Sequence, residues 1–350
     1  MIKRLVLNQK EIYQIEKLLY EISKKTICID NSNFLHELVI LSHRLPLRIR
    51  EFLNNFRLKE ADDMVACVVS GYPINHEKIG LTPLNRNSKN IINTLEEEIF
   101  FVLLGSLLGD NIAWSAQQAG HIIHDILPVS GQENEQTGSS SKEELFFHTE
   151  DSFHNYRGDY LGMMCLRNND NQAFTTIASR ETLKLIPSHI KNILFESRFI
   201  IQPDASYFEK HEFIQKQDLN KLDFENFLID SEIRIKDMKN NPKPISILFG
   251  SKKNPYIRVD CINYMDALDE EANRAFKIFT DAFNKALIEM ELKDGEVCFI
   301  DNFRAVHGRT PFKFPPKYDG SDRWMKRINI TRDLRKSQDL RVNTTSRVIF

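Results

Sequence analysis

The sequence predicts a mainly β fold, a sandwich or jelly roll with helices packed around it. Three observations predict it: many short segments rich in β-branched and aromatic residues through the middle and end of the chain, helical periodicity concentrated in the N-terminal third, and one long amphipathic segment late in the sequence. At 350 residues with 41% hydrophobic and 27% charged side chains, the chain has the balance of a globular protein that buries a sizeable core.

Over residues 8–23, Ile12, Ile15, Leu18, Leu19 and Ile22 recur at helical spacing. A second helical stretch, residues 34–56, is interrupted by Pro46, and a third runs over 91–108 and stops near Gly109. These make a helical jacket, its first part over about residues 1–60. Strands are expected over residues 64–69, 120–127, 145–149, 160–166, 174–178, 199–202, 245–249, 256–261, 296–301 and 325–331. A long helix over about 266–292 sets Leu268, Ala272, Phe276, Phe279, Phe283, Leu287 and Met290 on a face suited to cover a sheet. Residues 131–142, GQENEQTGSSSK, read as a loop. Residues 208–243, highly charged with scattered aromatics, read as an insertion: either a solvated helical excursion or a lid. With no internal repeat and no linker, a single domain over residues 1–350 is expected.

The 47 basic and 49 acidic side chains nearly cancel, which argues against nucleic acid or an anionic membrane as partner and for a small molecule or a protein. The apolar run at the N-terminus, Ile2 to Leu7, is too short for a signal or a membrane span, so a cytoplasmic location is expected. The five cysteines, Cys28, Cys67, Cys165, Cys261 and Cys298, are widely spaced, without a CxxC pair, and mostly within apolar runs. They read as free buried thiols.

In Phe146-Phe147-His148-Thr149-Glu150-Asp151 a strand points His148 and Glu150 to one face, because side chains alternate with period two. Among ten histidines such a pair arises by chance, so a third ligand has to support it. His307, in RAVHGRTP, ends an apolar strand and precedes a Gly and a Thr-Pro turn, a place at a sheet mouth. Two imidazoles and a carboxylate leave three positions open on an octahedral metal, which suits oxygen chemistry at iron rather than a closed structural zinc site. Arg323 and Arg327, in YDGSDRWMKR, each offer a planar fork to a carboxylate, the group through which a dicarboxylate co-substrate is best held.

The run HTEDSFHNYRGDYLGMMCLRN, with RAVHGRTPF and YDGSDRWMKR, resembles the clavaminate synthase-like oxygenases, which include arginine, asparagine and lysine hydroxylases acting on the free amino acid; the resemblance spans Trp114 to Arg332. It implies a double-stranded β-helix core and an iron(II) site at His148, Glu150 and His307. It places the distal carboxylate of 2-oxoglutarate on Arg323 and the amino acid's α-carboxylate on Arg327. A glutamine near the α-amine falls on Gln117 or Gln118, with Gln117 preferred. Asp260 resembles the acid that receives the side-chain head group; alternatively it pairs with Arg258. Asp151 and Asp159 are weaker candidates for that role. The implied reaction consumes 2-oxoglutarate and O2, releases succinate and CO2, and hydroxylates free L-lysine, at C4 by closest motif likeness. Arginine, asparagine or a carrier-bound residue are the alternative substrates, a homo-oligomer is allowed, and a non-enzymatic jelly-roll binding protein is the rival of a different class. Zinc-dependent hydrolysis leaves the arginine pair unexplained.

Overall fold

The computed structural model describes residues 2–26, 28–58, 64–85, 93–169, 172–208, 221–260 and 264–350. Asn8 starts the first helix, Gln9–Ser23, by a reciprocal cap: its side chain accepts from the Glu11 amide while Glu11 reaches back to the Asn8 amide. The buried stripe Ile15, Leu18, Leu19 and Ile22 is the one the periodicity predicts. Helices Ser32–Ser42 and Leu47–Leu58 break at Pro46, which lacks the amide a continuing helix needs. Leu95–Ser106 carries Glu96, Glu97 and Glu98 in its first turn, and from Ile99 onward it is buried on every side, as the apolar run over residues 99–104 requires. The start of the jacket differs from expectation: Ile2–Val6 is a strand, parallel to Ala66–Ser70. Only Leu5 of its five residues is buried, so no alternation was there to read.

The large sheet runs, edge to edge, Ile2–Val6, Ala66–Ser70, Val297–Asp301, Tyr160–Arg167, Trp324–Thr331, Asp110–Trp114 and Val348–Ile349, with His124–Ile126 also paired to Trp324–Thr331. The smaller sheet runs Ile288–Met290, Thr175–Ser179, Ala305–Arg309 and Leu145–His148. Strand alternation sorts their side chains. Trp324, Ile328 and Ile330 join Phe101 and Leu104 in the core under the helices. Met325, Leu161 and Cys165 meet Ile177, Met290 and Ala305 of the smaller sheet in a core between the two. The smaller sheet's other face is covered by Glu270–Ala286, capped by Asp269, whose Phe279 and Phe283 are fully buried against Phe147. Each buried phenylalanine contributes roughly 1.5–3 kcal/mol. Two sheets face to face with helices outside make the jelly-roll, double-stranded β-helix core that the sequence predicts.

The helix expected over 266–292 is shorter because Met265–Ala267 and Ile288–Met290 pair with Phe199–Ile201 and Thr175–Ser179 instead. Of the 208–243 insertion, 209–220 lie outside the described residues and Lys221–Asn240 is a helix. The strand expected over 256–261 is observed as Pro255–Ile257, and Cys261 lies outside the described residues. Cys67, Cys165 and Cys298 are buried free thiols, while Cys28 is exposed. Among the described residues no helix is long and apolar enough to cross a membrane.

Candidate active site

Three donors converge at one end of the sheet pair. His148 closes the strand Leu145–His148, and His307 stands directly opposite it in the antiparallel neighbour. Their ring centroids are 4.4 Å apart. Gly308 permits this approach, since a Cβ there would meet the Leu145 carbonyl oxygen at 2.5 Å. Glu150 Oε2 lies 3.3 Å from His307 Nε2 and 3.8 Å from His148 Nε2, and the three ligand atoms fall within 4.8 Å of one another. The Asn302 side chain fixes the Glu150 main chain, accepting from its N–H at 2.7 Å and donating to its carbonyl at 3.0 Å. His148 Nδ1–H donates to the Phe146 carbonyl at 2.9 Å, so Nε2 is the nitrogen that faces Glu150 and His307 and offers its lone pair once its proton is lost. These are the tautomer and the donor set that iron(II) takes, with positions left for other ligands. His307 sits mid-strand in Ala305–Arg309 rather than at a strand end, because the preceding strand stops at Asp301 and residues 302–304 turn the chain.

Burial works against charge on His148, but Glu150 and then Asp260 outweigh it and hold the imidazole up at about 9. Burial, then the charge of His148, push His307 down to about 4. Burial opposes ionised Glu150 too, yet Arg327, His148 and His307 hold its carboxyl well below the usual range. Without metal at neutral pH, His148 therefore carries a proton that a metal must displace. Adding iron(II) anaerobically at pH 7 is expected to release about one proton per site. Release fades, and affinity stops rising, as pH passes through 9, above which His148 is already neutral. Calorimetry in buffers of different ionisation enthalpy measures it; release unchanged from pH 7 to 10 would contradict this electrostatic account.

A pocket opens over the triad. On one side stands Arg323, its main-chain N–H held by Gln172 Oε1 at 3.0 Å and its buried guanidinium without a hydrogen-bond partner among the described residues. Burial lowers its pKa. Arg309, on the same strand face as His307, lines that side as well; it donates to Ser140 Oγ at 2.6 Å and to the Thr310 carbonyl at 2.7 Å. Burial and then the charge of Arg323 bring it down to about 9. Two buried guanidiniums without a carboxylate among the described residues leave charge for an anionic ligand to neutralise.

The other side is built around Arg327, which donates to Glu150 Oε1, to Gln117 Oε1 at 3.0 Å and to His124 Nδ1 at 2.8 Å. Gln117 is the glutamine committed to this arginine, its Nε2 donating to Ser206 Oγ at 3.0 Å. Gln118 also borders the pocket, but both ends of its amide are engaged by the Asp125 main chain. Asp260 lines the pocket and accepts from the Ser152 hydroxyl. Arg258 donates instead to the carbonyls of Ser152 and Phe153, at 2.6 and 2.9 Å. Asp151, strained at φ 50°, accepts from Trp114 Nε1 at 2.5 Å, Asn329 Nδ2 at 2.9 Å and the Tyr207 hydroxyl. Asp159 accepts from the Arg332 N–H at 2.8 Å and is not part of the pocket wall.

Sequence reasoning missed Arg309, His124 and the half-buried Asp204, whose carboxyl desolvation raises above its usual pKa. For Arg309 the signal was present, two residues beyond His307 in a strand. His124 and Asp204 enter through strand register and loop closure, which leave no local mark.

The chain matches the model of the "Taurine catabolism dioxygenase TauD, TfdA family" over residues 93–329. It is 38% identical, over 98% of each chain, to an enduracididine beta-hydroxylase of Streptomyces hygroscopicus. It is 36% identical, over 99% of each chain, to an L-ornithine/L-arginine 3-hydroxylase of Catenulispora acidiphila. Among solved structures, the non-heme iron oxygenase OrfP in complex with Fe, succinate and (3S)-hydroxy-L-Arg superposes with a TM-score of 0.88 at 33% identity, covering 99% of both chains. The chain therefore belongs to the TauD/TfdA dioxygenase family and is an iron(II)- and 2-oxoglutarate-dependent amino-acid hydroxylase.

Proposed function

We propose that the enzyme hydroxylates a free L-amino acid with a cationic side chain of arginine type, at C3. The observation that carries this is the charge pattern of the pocket: Arg327 on one wall, with the carboxylates Asp204 and Asp260 bordering the same space. An α-carboxylate pairs with the guanidinium and a side-chain cation with the acids, whereas an acidic side chain would be set against like charge. His148, Glu150 and His307 hold the iron, and Arg323 grips the far carboxylate of 2-oxoglutarate. Iron(II) with 2-oxoglutarate and O2 supplies the oxidation that turns C–H into C–OH, releasing succinate and CO2. The chain's own contribution is to fix which carbon of the amino acid lies nearest the metal. Arg327 and Gln117 anchor the backbone end, and Asp260 with Asp204 the head group.

The finer expectation of lysine at C4 rests on the motif likeness. The relatives at 36–38% identity are named for ornithine, arginine or enduracididine and for the β or 3 position, which supports an arginine-type substrate and C3.

The test is a panel of free amino acids and carrier thioesters incubated with iron(II), 2-oxoglutarate and air, reading gain of one oxygen by mass and its position by NMR. Oxygen at C3 of L-arginine or a close analogue is expected. Gain on lysine at C4 alone would reinstate the motif-based substrate, and gain only on neutral amino acids or thioesters would sink the proposal. Asp260→Asn is expected to weaken the cationic amino acid by roughly 2 kcal/mol, about thirtyfold, with 2-oxoglutarate binding unchanged. An unaltered KM in that variant would assign the head group to another acid.

A further inference from the structure

The short strand His124–Ile126 pairs antiparallel with Trp324–Thr331 so that His124 stands opposite Arg327 and Asp125 opposite Lys326. Alternation sends the first pair into the pocket and the second to the far side of the sheet. On the far side, Lys326 Nζ lies 2.8 Å from Asp125 and 2.9 Å from Glu98, and Trp324 Nε1 donates to Asp125 at 2.7 Å. The Gln118 amide grips the Asp125 main chain at both ends, at 3.1 and 3.0 Å. His124 is thus carried on a strand pinned from behind. Its ring, 3% exposed, has little freedom to follow a ligand.

On the pocket side Arg327 Nη2 donates to His124 Nδ1 and to Gln117 Oε1, and Nη1 donates to Glu150. A guanidinium keeps all its protons, so His124 Nδ1 is the acceptor and the ring is neutral, protonated on Nε2. Three of the five N–H donors of Arg327 are engaged, which leaves the buried, unpartnered Nε–H and one Nη1–H for a ligand. Glu150 alone would draw the guanidinium toward the metal site. Two neutral acceptors on Nη2 hold it back and fix the plane in which its free donors lie.

We propose that His124 is a positioning residue for the amino acid: through Nδ1 it orients Arg327 toward a substrate carboxylate, and so makes the enzyme select a free α-carboxylate over an amide or ester. The inference rests on the reading of Arg327 given above. A carboxylate held at the wrong angle also moves the side chain across the metal, so the same contact bears on which carbon reacts.

The experiment compares L-arginine with L-argininamide as probes. Binding to enzyme loaded anaerobically with iron(II) and 2-oxoglutarate is measured by calorimetry, and turnover and product position are measured in air. His124→Leu is expected to weaken L-arginine about ten- to a hundredfold, to leave L-argininamide nearly unchanged, and to leave 2-oxoglutarate affinity as it was. His124→Asn, whose Oδ1 can take the same N–H, recovers most of the preference for the acid. If His124→Leu melts early, His124→Phe replaces it, filling the space without an acceptor. An acid-over-amide preference intact in the leucine or phenylalanine variant but lost in Arg327→Gln overturns the role of His124 and leaves that of Arg327 standing. A preference intact in Arg327→Gln overturns both.

Discussion

Replacing His307 by alanine is expected to abolish turnover and to lower iron(II) affinity by more than about a hundredfold, with the fold unchanged. Outer partners of metal ligands already cost 10- to 100-fold when removed, so a ligand costs more. The fold survives because His307 contributes to it through its main chain, paired to both neighbouring strands, while its imidazole faces the pocket with Nδ1 unpartnered. Glu150→Ala is a poorer test, because it would also strip Arg327 of its only carboxylate hydrogen bond among the described residues and leave a buried guanidinium exposed to His124 and Gln117 alone. Anaerobic iron titration, product analysis and thermal unfolding of His307→Ala separate these effects. Turnover surviving with native iron affinity would remove His307 from the metal site.

Period two suggested one face for His148 and Glu150, and the resemblance joined His307 to them; the three ligand atoms do converge, although the strand ends at His148 and Glu150 comes in from the turn that follows. That His307 lies directly across from His148 was not legible, since register depends on Gly308 and on the bulge between His307 and Arg309. The helix break at Pro46 was readable from one residue. The overrun of the late helix was not, because the apolar pattern continues into residues whose backbone is claimed by distant strands. Lys326 shows the same limit from the polar side. It is a lysine, yet it is buried, because Asp125 and Glu98, far away in sequence, meet it inside. What sequence hides here are pairings made across the sheet, as for His124 and Lys326, and loop closure, as for Asp204.

Arg323→Gln is expected to raise the KM for 2-oxoglutarate by about thirty- to a hundredfold, with a much smaller effect on amino-acid binding. Truncating one partner of a buried charge pair costs roughly 2–5 kcal/mol, mostly the penalty of leaving the other charge unpaired. Arg309 borders the same side of the pocket and feels the charge of Arg323, so the stranded carboxylate keeps one cation nearby and the loss falls toward the lower end of that range. Arg309 also gains: without a second buried guanidinium beside it, its pKa moves back up from about 9, and its charge becomes firmer. The discriminating measurement sets 2-oxoglutarate against 2-oxobutanoate, which keeps the keto-acid end and lacks the distal carboxylate. The native enzyme is expected to favour the diacid strongly, and Arg323→Gln to lose most of that preference. A preference that persists in Arg323→Gln and vanishes in Arg309→Gln would transfer the anchor to the histidine strand. The three groups that decide the reaction geometry, two metal-binding imidazoles and the co-substrate's cation, would then all descend from the pair Leu145–His148 and Ala305–Arg309.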